Sequence, residues 1–183
     1  MHLAPVRHLL AVPAATALIV ACARLPALPL APVAVTLQSL AVLLSAALLG
    51  PWRGMAAVLL YLLLGIAGLP VFAGGAAGVA VLDGPSAGYL VAFVPAALLC
   101  GWLVRQVPND GHPGRGVWLF ACGLGSSALL VHPLGIAGLV RALDIDLARA
   151  VAIDLRFWPG DVLKNTLLAL LVAGWRRRLR RGG

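Results

Sequence analysis

AGYLVAFVPAALLCGWLV, residues 87–104, carries no charged side chain. Such a run approaches the ~20 apolar residues that an α-helix needs to cross a bilayer. VWLFACGLGSSALLVHPLGIAGLV, residues 117–140, is longer and free of Asp, Lys and Arg. Outward from these two, further apolar stretches cover residues 9–23, 33–49, 55–69 and 162–175, six in all. The 183-residue chain is 62% hydrophobic and 11% charged, with a mean hydropathy of +1.01. Soluble domains hold about 25% charged and 45–50% apolar residues. A soluble core of this size has no means of hiding so much apolar surface, so lipid is the expected solvent. The expected fold is all-α: a polytopic integral membrane protein with six transmembrane helices, one domain over residues 1–183. The first and last stretches are short for spans and would borrow neighbouring residues or thin the bilayer.

The net charge of +8 does not point to nucleic acid, because of where the charge falls. Arg176, Arg177, Arg178, Arg180 and Arg181 directly follow an apolar run, as in a cytoplasmic membrane anchor. With six crossings both termini share one side. If that side is cytoplasmic, Arg7, Arg53, Arg105, Arg115 and the five C-terminal arginines lie inside, and Arg24, Arg141, Arg149 and Arg156 outside. Nine against four favours cytoplasmic N and C termini by the positive-inside rule, in a multi-pass protein of the cell membrane. Trp52, Trp102, Trp118, Trp158 and Trp175 all fall near stretch ends, where indole rings suit headgroups. Arg7 and Arg24 flank the first stretch without a convincing cleavage site, so it does not read as a signal peptide. Cys22, Cys100 and Cys122 lack C-x-x-C spacing and read as small packing residues.

In this orientation the outer segments are 24–32, 70–86 and 141–161, which are Pro-rich, Gly-rich, and long with mixed charge. The chemistry is expected to face outward. Val140, Leu143, Leu147, Val151 and Leu155 recur at helical spacing and predict a short amphipathic interfacial helix, the alternative being an irregular loop.

Phe157-Trp158-Pro159-Gly160-Asp161-Val162-Leu163-Lys164-Asn165 is the segment richest in chemistry. Pro and Gly mark a helix start, and Asp161 in the first turn suits the positive end of the helix dipole. Asp161 and Lys164 share one helix face. Each ionisable residue within a span costs about 2.5–3.5 kcal/mol on insertion scales and usually faces a cavity or a partner. Lys164 is the only lysine beside thirteen arginines, which points to a need for a compact ammonium. An internal ion pair or a snorkelling lysine is the competing explanation.

Gly68-Leu69-Pro70-Val71-Phe72-Ala73-Gly74-Gly75-Ala76-Ala77-Gly78 and Gly84-Pro85-Ser86-Ala87-Gly88-Tyr89 form a second segment. Glycines admit close ligand approach, and non-helical backbone at membrane depth belongs where it lines a cavity. The chain has no G-x-x-x-x-G-K-[ST], so any ATP dependence is expected to come from partners. Gln38, beside Thr36, is either an interhelical hydrogen bond or a ligand contact. His132-Pro133 reads as a kink with a satisfied imidazole. With no Glu and no His/Cys cluster, neither a metal site, a paired-carboxylate site nor a nucleophile–base set stands out, and no enzyme activity is expected. Ala11/Ala15 and Ala17/Ala21 have small-xxx-small spacing, either by coincidence in an alanine-rich chain or as a docking face for another membrane subunit.

Across nearly its whole length the sequence resembles the BioY family, the biotin-specific S components of energy-coupling-factor (ECF) transporters. The resemblance rests on Pro32-Val33-Ala34-Val35-Thr36-Leu37-Gln38, Leu48-Leu49-Gly50-Pro51, the two glycine-rich segments, and Pro159-Gly160-Asp161-x-x-Lys164. Ala76-Ala77-Gly78 and Ser86-Ala87-Gly88 stand where family members often have Gly-Gly and Thr-Gly-Gly. The resemblance implies a six-helix fold that binds biotin near the outer face for ATP-driven uptake. It further implies partnership with a transmembrane coupling protein and paired ABC-type ATPases, some members working alone. No cofactor is expected on this chain itself, ATP being used by the partners. An S component for another small vitamin is the alternative. By the resemblance, Asp161 and Lys164 are polar ligand contacts. Biotin offers two ureido N–H donors, a carbonyl, an apolar ring and a carboxylate tail. Asp161 can accept from a ureido N–H, and Lys164 can donate to the carbonyl or pair with the tail. Phe72, Tyr89, Phe157 and Trp158 are candidates to cover the ring, with Gly74, Gly75 and Gln38 beside them.

Overall fold

The computed structural model describes residues 4–25, 33, 36–108 and 112–181, and among these it contains helices and loops only. Residues 26–32, Ala34 and Val35, which hold most of the first outer segment and of the motif ending at Gln38, lie outside the described residues. So do the side chains of Arg7 and of the C-terminal Arg176, Arg177, Arg180 and Arg181.

The helices are α1 (Ala4–Arg24), α2 (Gln38–Leu49), α3 (Pro51–Ile66), α4 (Ala87–Gln106), α5 (Arg115–Leu143), α6 (Leu147–Asp154) and α7 (Trp158–Arg181). Ala87–Gln106 and Arg115–Leu143 are long and apolar enough to cross a membrane, whereas Leu10–Arg24, Gln38–Leu49 and Pro51–Ile66 are shorter apolar helices. Among the boundaries that differ from the apolar stretches are three helix starts. Helix α2 starts at Gln38 rather than at residue 33. The expected connection 50–54 shrinks to Gly50, because Pro51 has its φ pre-set for a first helical position. Gly50 adopts φ 86°, and a Cβ there would lie 2.6 Å from the Arg105 guanidinium, so only glycine suits this corner. Helix α7 begins at Trp158 and includes the basic tail, since Pro159 is tolerated in its first turn.

Helix α4 is central, packing against α2, α3 and α5. The first half of α5 packs on α7, and α2 also meets α1 and α7. Thr16 ties α1 to α3 by donating to the Ala57 carbonyl at 3.0 Å. Helices α4 and α5 touch backbone to backbone at Gly88 and Gly138. A Cβ on Gly88 would stand 2.2 Å from the Leu134 carbonyl oxygen and 2.9 Å from Gly138 Cα.

The kink expected at His132-Pro133 takes a different form. Residues Ser127–Val131 form a π-turn inside α5, immediately before His132. Proline lacks an N–H and crowds the carbonyl four residues back, and a π-turn relieves both conflicts without ending the helix.

Between α5 and α7 the chain is helical over Leu147–Asp154. Asp144 ends α5 in the left-handed conformation, and Asp146 caps α6 by accepting from Arg149 N–H at 2.8 Å. Ala150 and Asp154 form the buried face of α6, while Leu147 and Leu155 are exposed. The apolar stripe read from the sequence is therefore divided: Val140 and Leu143 pack against the core, whereas Leu147 and Leu155 face away from it.

Candidate functional site

A cavity of about 230 Å³ opens between α2, the loop 70–86, α4, α5 and the start of α7. Each element contributes for a local reason. Asp161 lies in the first turn of α7, and Lys164 follows one turn later on the same face, with its ammonium 2.7 Å from Asp161 Oδ1. Lys164 also donates to Ser39 on α2 at 2.9 Å. The π-turn in α5 is followed directly by His132, whose Nε2 lies 3.2 Å from Asp161 Oδ2 without the alignment of a hydrogen bond. On α4, Tyr89 lies against Gly135 of α5, where a Cβ would come within 2.1 Å of its ring. The Phe157 ring meets Tyr89 edge-on at 5.7 Å. Phe72 folds in from the loop, buried over Gly65 and edge-on to Tyr61 at 5.3 Å.

Of the residues expected at a site, Asp161, Lys164, Phe72, Tyr89 and Gln38 line one cavity. Gln38 is buried there, and its Nε2 has no hydrogen-bond partner among the described residues. Gly74 and Gly75 are not among the lining residues. They turn the loop with positive φ, so that Ala73 and Ala76 reach the wall instead. Trp158 also stands outside the lining. Its indole stacks on His132 at 4.6 Å, with 15° between the rings, and donates to Asp154 at 3.2 Å.

Sequence reasoning missed two residues. His132, read as a satisfied kink histidine, lies on the cavity wall between two carboxylates, Asp154 and Asp161. Asp154, in the outer segment of mixed charge, is 1% exposed. Ala150, four residues earlier, shares its buried face. An ion pair out of water gains little stability against its desolvation. Stability alone therefore does not account for gathering Asp154, His132, Asp161 and Lys164 at one largely buried point.

Chemically the cavity offers anionic and cationic groups side by side, an unpaired amide donor, and aromatic walls. The architecture is that of a small all-helical membrane protein built around a polar pocket. The chain belongs to the BioY family, whose model matches residues 1–181. A relative from Rhizobium etli, "Biotin transporter BioY", is 36% identical over 85% of each chain. One of the same name from Rhodobacter capsulatus is 41% identical, again over 85% of each. Among solved structures, "Crystal structure at 2.1 A of the S-component for biotin from an ECF-type ABC transporter" matches with a TM-score of 0.82 at 30% identity, covering 98% of this chain and 93% of that one.

Proposed function

We propose that this chain is the substrate-capturing subunit of a biotin uptake system. The observation that carries the reading is the Asp161–Lys164 pair on the wall of a cavity that also presents aromatic side chains. A ureido group needs acceptors for two N–H groups and a donor for its carbonyl, and a fused apolar ring needs flat covering surfaces. Asp161, Lys164 and the unpaired Gln38 amide supply the first, and Phe72, Tyr89 and Phe157 the second. The names of the relatives support the same ligand. Equilibrium binding of biotin to the purified, detergent-solubilised protein tests this. Saturable binding is expected. Binding of another small vitamin in place of biotin would replace biotin as the substrate, and binding of neither would sink the reading.

In this reading the chain carries out no chemical step and holds no cofactor. A transmembrane coupling protein and ABC-type ATPases supply the ATP-driven work. Helices α1, α2, α3, α4, α5 and α7 make the six crossings of the cell membrane, with both termini cytoplasmic. Helix α6 lies at the outer interface, where its exposed Leu147 meets the headgroup boundary. A reporter active only in the cytoplasm, fused after Gly183, is expected to be active. An inactive reporter on well-inserted protein would reverse the orientation.

Burial divides the alanines of α1. Ala15 is packed inside, Ala11 is half-buried, and Ala17 and Ala21 are exposed. The docking face for the coupling protein thus narrows to the side of Ala17 and Ala21, where small side chains permit close helix approach. Replacing both with leucine is expected to reduce uptake while leaving biotin affinity unchanged. Ala15→Leu, which overfills the interior, is expected to lower thermal stability as well. Unimpaired uptake by the Ala17/Ala21 variant would remove this face as the docking surface.

A further inference from the structure

Asp154 is not part of the cavity wall, yet its side chain engages two residues of that wall and a third that supports it. Its Oδ1 accepts the Tyr89 hydroxyl at 2.8 Å and lies 3.0 Å from His132 Nδ1. Its Oδ2 lies 2.8 Å from the same Nδ1 and accepts the Trp158 indole N–H at 3.2 Å. These partners come from α4, α5 and α7, and Asp154 itself closes α6. An indole nitrogen can only donate, but a tyrosine hydroxyl and a ring nitrogen of neutral histidine can each donate or accept. A carboxylate accepts only. Facing both ambiguous groups, it draws the Tyr89 hydroxyl hydrogen and a hydrogen on His132 Nδ1 toward itself. The remaining capacity of Tyr89 Oη is then to accept.

We propose that Asp154 is a positioning residue that sets the hydrogen-bond polarity of the cavity, making Tyr89 an acceptor for an N–H of the ligand. The inference rests on the biotin reading and deepens it. Biotin presents two ureido N–H groups, and Asp161, already engaged by Lys164, is one acceptor on the cavity wall. Tyr89 is the second. Selection then follows from polarity: a ligand with an acceptor in place of that N–H would meet lone pairs instead of a hydrogen.

Asp154→Asn tests this without changing shape. The amide keeps one accepting oxygen and gains an NH2, so it no longer accepts from Tyr89, His132 and Trp158 together, and at least one of them must turn or face a donor. In ligand-free protein labelled with ¹⁵N-histidine, the His132 signal, assigned by its loss in His132→Gln, is expected to show Nδ1 carrying hydrogen in the wild type. It is expected to change in Asp154→Asn. Biotin affinity in that variant is expected to fall by at least about tenfold, as for loss of a buried charge-assisted contact. In a Tyr89→Phe background, the same substitution is expected to cost clearly less, because the shared path is already broken. A wild-type Nδ1 without hydrogen, an unchanged affinity, or effects that simply multiply would each overturn the proposal. If Asp154→Asn does not fold, the wild-type spectrum decides alone. Wild-type protein that fails to bind biotin would overturn the transport reading, while the spectrum still judges Asp154.

Discussion

Asp161→Asn and Lys164→Ala are each expected to weaken biotin binding by at least about tenfold, allowing for water that softens the loss. Truncating one member of a buried charge-assisted contact typically costs about 2–5 kcal/mol, or roughly 30- to several-thousand-fold in affinity. The structure ranks the two variants. Asp161 faces both Lys164 and His132, so its neutralisation leaves Lys164 without its carboxylate and His132 with Asp154 alone. Lys164 contacts Asp161 and Ser39, and its removal strands only one carboxylate, which keeps His132 nearby. Asp161→Asn is therefore expected to be the more damaging. Both proteins should still insert and stay monodisperse, because neither side chain is needed to span lipid. Isothermal titration with biotin reads the outcome. Near-native affinity in both variants would reduce the pair to an internal brace. Misfolding of both would call for the charge-swapped double variant, whose recovery of folding without binding would restore the binding role.

The second large effect is expected at the crossing of α4 and α5. A Cβ on Gly138 would lie 2.7 Å from both Gly88 Cα and Gly88 N, and one on Gly88 meets the Leu134 carbonyl. The obstructing atoms are backbone, which cannot swing aside as a flexible side chain can. Gly88→Ala and Gly138→Ala must push the helices apart, a kind of overpacking that costs about 1–3 kcal/mol. For a chain of this size that corresponds to a fall of roughly 2–12 °C in the thermal midpoint. Tyr89 adjoins Gly88, so biotin affinity should fall as well. Gly174→Ala is the control, since nothing lies within 4 Å of its added Cβ. Helix propensity alone favours alanine over glycine by about 1 kcal/mol, so the control should melt no lower than the wild type. Wild-type melting of both Gly88→Ala and Gly138→Ala would show that the helices do not approach this closely.

Several features were legible from the residues alone. Lipid as solvent follows from the apolar excess, and the order of the long helices follows from where the apolar runs fall. The start of α7 was legible because Pro159, Gly160 and Asp161 act within one turn. The common face of Asp161 and Lys164 followed from helical spacing. The two missing members of the site were not legible. His132 looked like an ordinary kink residue, and Asp154 like one more charge in an outer segment of mixed charge. Trp158, expected in the cavity, instead stacks behind it on His132, because its indole N–H has an acceptor in Asp154.

By itself, the sequence determined what is local: which segments are helical, which residues share a face, and which solvent surrounds them. Helical periodicity is set by backbone geometry within three or four residues, so a single chain displays it directly. Only the tertiary structure decided that α4, α5, α6 and α7 bring Tyr89, His132, Asp154 and Asp161 to one point. Tyr89 and Asp154 are 65 residues apart. Which faces of such distant helices meet depends on how the whole bundle packs, down to the two glycines that let α4 and α5 touch, and no short-range pattern encodes that choice.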